Sequence, residues 1–385
     1  MMKTMTASTT ELDDEKLAIE QLKSQLELES NLLKNTIGIA ACHYEFVLSG
    51  TYQAICAAMP FEVVGTISSS QSIHDESGTL TMTLMVLTSD DVEFDKVLTP
   101  SLLSEPGKAI SDAYRSACRA EKPALILTFG AFLPQNSGDE YVNVLTEVSG
   151  GVPCFGTLAV DDTLDFSNSF VLADCDYHRD KLVMVLVYGN IHPKFFVANI
   201  SDSKVLEKSA LVTKSAGPIL MEVNERPIID YFEDLGLVEA SGVQYALTSL
   251  PFLLDYNDGT PKVSKIFVML TPEKYALCAG SMPEGSTLYM ASTDTKDILL
   301  TSGEAIDSIL DSCEGSPALL VYSCVGRSMT LGADQFKEME LLDEKIGARL
   351  PYLMATSGGE ICPTQISEEK AINRFHNNAF IACLF

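Results

Sequence analysis

Tryptophan is absent from the 385 residues, histidine occurs five times, and Lys and Arg together number 26 against 53 Asp and Glu, a formal net charge of −27. A chain that acidic repels phosphate backbones and anionic headgroups, so no nucleic-acid partner and no membrane surface is expected. No cluster of basic residues offsets this locally. Unbroken apolar runs such as Leu182 to Tyr188 fall far short of the ~20 residues of a membrane helix, and Met1 to Glu15 holds no apolar stretch of a signal peptide. A cytoplasmic location is expected. The ten cysteines never form a C-x-x-C pair, and the one half-site, Cys175 with His178, has no second half. Structural zinc needs four such ligands, so the cysteines read as small buried hydrophobes in a reducing compartment. The P-loop, G-x-S-x-G, H-E-x-x-H and G-x-G-x-x-G signatures are also missing, which removes the common nucleotide, hydrolase and metalloprotease readings.

What remains is an ordinary globular composition, 46% hydrophobic and 21% charged, long enough for about two domains. Residues 1–36 differ from the rest. Thr10 and Asp13 suit a helix start, and Leu12, Ile19, Leu26 and Leu33 recur every seven residues. Glu15 and Glu29 spoil the second seam position. This segment is expected as an N-terminal helix, either a short coiled coil that joins two chains in a weak homodimer or packs on its own body, or a solvated amphipathic helix. Its removal is expected to leave a folded core.

From Ile37 one pattern recurs three times: an apolar strand, a helix, a Pro followed by a small-residue turn, and a closing apolar strand. The copies start at Ile37, Ala124 and Ala318, and their Pro residues are Pro60, Pro153 and Pro351. Apolar runs alternating with helical stretches indicate an α/β or α+β fold, with mixed β-sheets, packed helices and repeated strand-helix-strand units. The expected division is 1–36, 37–205 and 206–385. A block from Ser201 to Ser316 interrupts copies two and three. In it Pro227 and Gly236 bracket a helix, Asp255 to Gly259 forms a turn, and a second helix runs through Gly303 to Ser312.

The chemistry-bearing residues gather at strand ends. Gly156-Thr157 and Ser357-Gly358-Gly359-Glu360 offer backbone N–H groups and hydroxyls to a ligand, or are simply tight turns. Asp161-Asp162 suit the ammonium of a small ligand or a solvated turn. Arg327, in Ser323-Cys324-Val325-Gly326-Arg327, can clamp a carboxylate or pair with a protein acid. Asn373, His376 and Asn377 stand before the last strand, where they fix a loop or present His376 to a ligand or metal centre. Cys324 or Cys362 as a hydrolase nucleophile lacks a visible base, so each thiol reads as inert.

At these residues the sequence resembles a known family. Gly358-Gly359-Glu360-Ile361-Cys362-Pro363 followed by Asn373-Arg374-Phe375-His376-Asn377 is similar to the C-terminal signature of FIST proteins (F-box and intracellular signal transduction). Ser323 to Arg327 with Leu331-Gly332 resembles the motif before it. Val212-Thr213, Ile219-Leu220, Glu222, Asn224, Pro227 and Tyr231 resemble the entry to that domain. Gly151, Pro153, Gly156, Leu158-Ala159 and Asp161, with Val63-Val64-Gly65-Thr66, are similar to turns of the FIST N-terminal domain. The resemblance implies a cytosolic, bacterial-type sensory protein that binds a small ligand such as an amino acid. It implies no resident cofactor, and no catalysis. A related set within the family implies the alternative, a haem-binding nitric-oxide sensor with His376 on the iron. Lacking an output segment of its own, the chain is expected to act on a separate signalling protein such as a histidine kinase.

Overall fold

The computed structural model describes residues 2–74, 76–133, 136–163, 166–238, 250–367 and 370–385. Three similar units follow one another along the chain. Unit I comprises β1 (Met2–Thr9), α1 (Glu15–Leu26), α2 (Leu28–Asn31), β2 (Asn35–Cys42), α3 (Tyr44–Leu48), α4 (Thr51–Ala58), β3 (Glu62–Ile67), a hairpin of β4 (Gln71–Ile73) and β5 (Glu76–Gly78), and β6 (Met82–Ser89). Unit II repeats this order with β7 (Glu93–Leu98), α5 (Pro106–Ala117), β8 (Leu125–Gly130), α6 (Gly138–Ser149), β9 (Cys154–Leu158), the hairpin β10 (Val171–Ala173) and β11 (Asp176–His178), and β12 (Leu182–Tyr188). Unit III opens with β13 (Lys194–Ala198). An insert follows: β14 (Val205–Ala216), β15 (Ile219–Val223), β16 (Arg226–Pro227), α7 (Ile228–Asp234), β17 (Pro251–Asp255), β18 (Val263–Leu270), β19 (Ala276–Cys278) and β20 (Thr287–Ala291). The unit then continues with α8 (Thr295–Leu310), β21 (Leu319–Cys324), α9 (Val325–Leu331), α10 (Lys337–Leu342), β22 (Tyr352–Ser357), the hairpin β23 (Glu360–Ile366) and β24 (Ala371–His376), and β25 (Phe380–Leu384).

Each unit builds one six-stranded mixed sheet around a parallel pair, β2 with β3, β8 with β9, and β21 with β22. The three recurring copies expected from the sequence are these pairs with their closing strands β6, β12 and β25, and the class is α+β. Central strands are buried on both faces, so Leu182–Tyr188 reads as one apolar run rather than as an alternation. Their inner faces share a single core, where Tyr322 lies 5.8 Å from Phe155 and 6.4 Å from Phe129 between ring centres. Helices cover the outer faces: α1 and α4 on the first sheet, α5 and α6 on the second, α8 and α10 on the third.

No unit completes its own sheet. The hairpin β4–β5 of unit I pairs with β22 of unit III, β10–β11 of unit II with β3 of unit I, and β23–β24 of unit III with β9 of unit II. The exchange is cyclic. It crosses residue 205, so the second and third sheets each contain strands from both sides of the division expected there.

The N-terminal segment departs from expectation. Residues 2–9 form an edge strand antiparallel to β6, equivalent to β7 and β13 in the other units. Asp14 caps α1 by accepting from the Leu17 N–H at 3.0 Å. The buried stripe of α1 is Ala18, Leu22 and Leu26, spaced by four, and Leu12 and Ile19 pack against the same core. The apolar face that suggested a coiled coil is spent on the protein's own first sheet, so the segment belongs to the core.

The insert closes on itself. β14 pairs with both β20 and β15, and the order β14-β20-β17-β18-β19-β15 makes a six-stranded antiparallel barrel filled by Phe232, Phe252 and Phe267. The helix bracketed by Pro227 and Gly236 is α7, and Asp255 to Gly259 turns between β17 and β18. Lys265 of β18 fastens the barrel to the body. Its fully buried ammonium donates to both Asp139 oxygens at 2.9 Å and to the Phe375 carbonyl at 2.7 Å. All three of its protons have acceptors, which is what a buried ammonium requires.

Candidate functional site

The ends of β3, β9 and β22 meet in a ring of hydrogen bonds. Val160 N–H donates to the Ile67 carbonyl at 3.2 Å, joining unit II to unit I. The Ser68 hydroxyl donates to the Thr356 carbonyl at 3.0 Å, and the Ser70 and Thr356 hydroxyls lie 2.6 Å apart, joining unit I to unit III. Gly358 N–H donates to Leu158 and Leu158 N–H to Gly359, each at 2.9 Å, closing the circuit. Glycine is required in two of the strands that lead into this ring, β9 and β3. A Cβ on Gly156 would stand 1.7 Å from the Thr128 carbonyl oxygen, and one on Gly65 1.9 Å from that of Ala40.

Beside the ring lies a pocket of about 250 Å³ to which all three units contribute. Ser69 and Thr79 come from unit I, Asp161, Asp162, Thr163 and Phe166 from unit II, and Val325, Ser328, Met329, Gly332 and Gln335 from unit III. The two adjacent aspartates play different parts. Asp161 is buried, and its carboxylate accepts from the Thr163 N–H (3.0 Å) and hydroxyl (2.7 Å) and from the Asn168 N–H. It shapes the loop, and the expected ammonium contact is not open to it. Asp162 is half exposed and meets Nε2 of the buried His43 at 3.2 Å. Since Nδ1 of His43 accepts from the Glu45 N–H, Nε2 carries the proton given to Asp162.

None of the other expected residues lines this pocket. Thr157 donates to the Ser357 hydroxyl at 2.6 Å, and Ser357 also accepts from the Gly359 N–H. Gly358 is packed against the Ala159 carbonyl. Glu360 is fully enclosed, and burial pushes its carboxyl up to about 8, although the Ser357 hydroxyl, the Ala379 N–H and the Cys324 thiol pull the other way. Burial and the neighbouring Glu360 charge raise the Cys324 thiol well above its usual range. Burial does the same to Cys362. Neither is an activated nucleophile.

Arg327 differs from the expected carboxylate clamp. It is 1% exposed and donates through Nε and Nη2 to Glu338, and through Nη2 to the Ser302 hydroxyl at 2.7 Å and the Ile298 carbonyl at 3.1 Å. Glu338 in turn accepts from Ser323 at 2.8 Å. The guanidinium is consumed in joining α8, α9, α10 and β21, so it holds the pocket wall from behind. Asn373 is likewise structural: it accepts from the Cys154 N–H and donates to the Val152 carbonyl and the Thr146 hydroxyl. Asn377 is buried, and its N–H donates to the Ser264 carbonyl of the insert.

A haem iron needs an imidazole nitrogen facing an open, apolar cleft. His376 is fully buried, with Nε2 3.3 Å from the Cys362 carbonyl, and burial with the Lys265 and Arg374 charges holds it down at about 3. These residues do not fit haem. Sequence reasoning overlooked Ser69, Ser328 and Gln335. The run Ser68-Ser69-Ser70 after a strand was the available signal for the first.

The family models for FIST N domain and FIST C domain match residues 36–226 and 230–363. The chain belongs to the FIST family. FIST domains are sensory domains of signal transduction that bind small ligands. The FIST N match begins after β1, α1 and α2, and the FIST C match ends within β23, although β24 and β25 complete the second and third sheets. No curated protein matches this FIST chain. Among solved structures, cyanuric acid hydrolase from A. caulinodans is similar at 9% identity and a TM-score of 0.40, covering 100% of this chain and 99% of that one. So distant a likeness carries no chemistry across. Among the described residues no helix is long and apolar enough to cross a membrane.

Proposed function

We propose that the chain is a FIST sensor whose small, ammonium-bearing ligand, such as an amino acid, occupies the pocket beside the three-unit ring. Asp162 receives the ammonium, and a surface of net charge −27 favours arrival of a cationic group. The Ser69 and Ser328 hydroxyls and the Gln335 amide orient the polar remainder, the part first assigned to Arg327. Phe166 and Met329 take apolar carbon. The observation that supports this reading is that every unit contributes side chains to one pocket. A ligand there holds three loops at once, and a separate signalling protein, such as a histidine kinase, reads the change.

Thermal-shift screening of amino acids and small amines tests the reading. A ligand at 100 times its Kd stabilises the folded state by about 2.7 kcal/mol. The expected result is a shift that Asp162→Asn removes and Ser328→Ala weakens. A hit that both variants bind as tightly as the parent overturns the site, and a broad library without a hit overturns the ligand class.

A further inference from the structure

Nine of the ten cysteines are buried or half-buried, but Cys175 is exposed. It lies with Asp174 in the two-residue turn between β10 and β11, where both residues take left-handed φ, 53° and 56°. Such turns select Asn, Asp or Gly. Asp174 suits its position; a cysteine does not, so turn chemistry leaves Cys175 unexplained. The hairpin is the one that unit II lends to unit I, and from its tip the Cys175 side chain comes near enough to Cys56 of α4 to interact with it. Cys56 is 3% exposed and packed into the first sheet's outer core.

We propose that Cys175 and Cys56 form a peroxide-sensitive thiol pair that closes to an intrachain disulfide between the exchanged hairpin and α4. Cys175 meets the oxidant first, because it alone of the ten cysteines is exposed. Its sulfur attacks one oxygen of a hydroperoxide, the O–O bond breaks, and with hydrogen peroxide the products are a sulfenic acid and water. The Cys56 sulfur then attacks the sulfenic sulfur. An S–S bond forms, the S–O bond breaks, and the hydroxyl leaves with the Cys56 proton as a second water. Two thiols are oxidised and one peroxide is reduced. Burial pushes the Cys56 thiol up to about 12, so it is slow with free peroxide and acts only on the sulfenic acid delivered beside it. Nothing in this step uses the ligand pocket.

The test treats the reduced, folded full chain with stoichiometric hydrogen peroxide, then denatures it, blocks remaining thiols with N-ethylmaleimide and maps the peptides by mass spectrometry. The expected result is loss of two of the ten thiols and a Cys56–Cys175 cross-linked peptide. In C175S the cross-link is lost and all nine remaining thiols stay alkylatable. C56S leaves Cys175 as a sulfenic acid that dimedone traps, and C118S, at a half-buried control site, keeps the cross-link. The proposal is overturned if Cys175 advances to sulfinic acid while Cys56 is still free, or if Cys56 is found joined to Cys42 instead.

Discussion

Glu360→Gln isolates the cost of enclosing a carboxyl beside the ring. The Glu360 carboxyl titrates at about 8 in the folded protein against 4.5 when free, so folding requires it to hold a proton that the unfolded chain releases. Stability from this group is complete below 4.5 and is lost as pH rises to about 8. His376 works in the opposite sense: held at about 3 against 6.5 when free, it contributes stability above 6.5 that is lost as pH falls. Between 4.5 and 6.5 the two slopes oppose each other, and from 6.5 to 8 Glu360 acts without that opposition. At 1.36 kcal/mol per pH unit, that window costs the parent protein about 2 kcal/mol. Glutamine keeps the size and loses the titration. Urea midpoints at half-unit intervals from pH 6.5 to 8 should fall for the parent and stay level for the variant. Parallel curves would refute the burial argument. Above that window, near pH 9, free thiols titrate and buried cysteines such as Cys154 add their own cost.

Three further outcomes follow from the packing. Arg327→Met leaves the buried Glu338 without its ion-pair partner, which costs about 3–5 kcal/mol in urea unfolding, and adding Glu338→Leu should recover most of it. Gly156→Ala drives a methyl group into the Thr128 carbonyl and should cost about 3 kcal/mol or more, read from the shift in melting temperature. Leu22→Ala should cost about 2–5 kcal/mol, and a chain lacking residues 1–36 should aggregate in light scattering because β6 becomes an open edge.

The three-copy pattern was legible because doubly covered strands read as continuous apolar runs and because Pro60, Pro153 and Pro351 punctuate each copy. The hairpin exchange was not. β4, β5, β10 and β11 are three residues each, too short for periodicity, and their partners lie in another unit. Residues 1–36 misled because a stripe spaced by four and one spaced by seven share Leu26, and only the sheet beneath chooses between them. At the site, the sequence showed polar residues close to apolar strands. It could not tell Asp161 from Asp162, since backbone donors seven residues on decide which carboxylate is consumed. Nor could it foresee that Glu338, a turn and a helix beyond Arg327, would take the guanidinium.

The cyclic loan of hairpins also governs how the chain reaches its fold. β23 must find β9, and β4 must find β22, across some 200 and 280 residues of chain. Contacts that distant pay their loop-closure entropy before any reward arrives, so folding is slow and late closure dominates it. The segments matched by the FIST N and FIST C models cannot each fold first and then dock, because each holds strands the other's sheet lacks. The ring and its pocket come into being only at the final closure, when the last hairpin is seated.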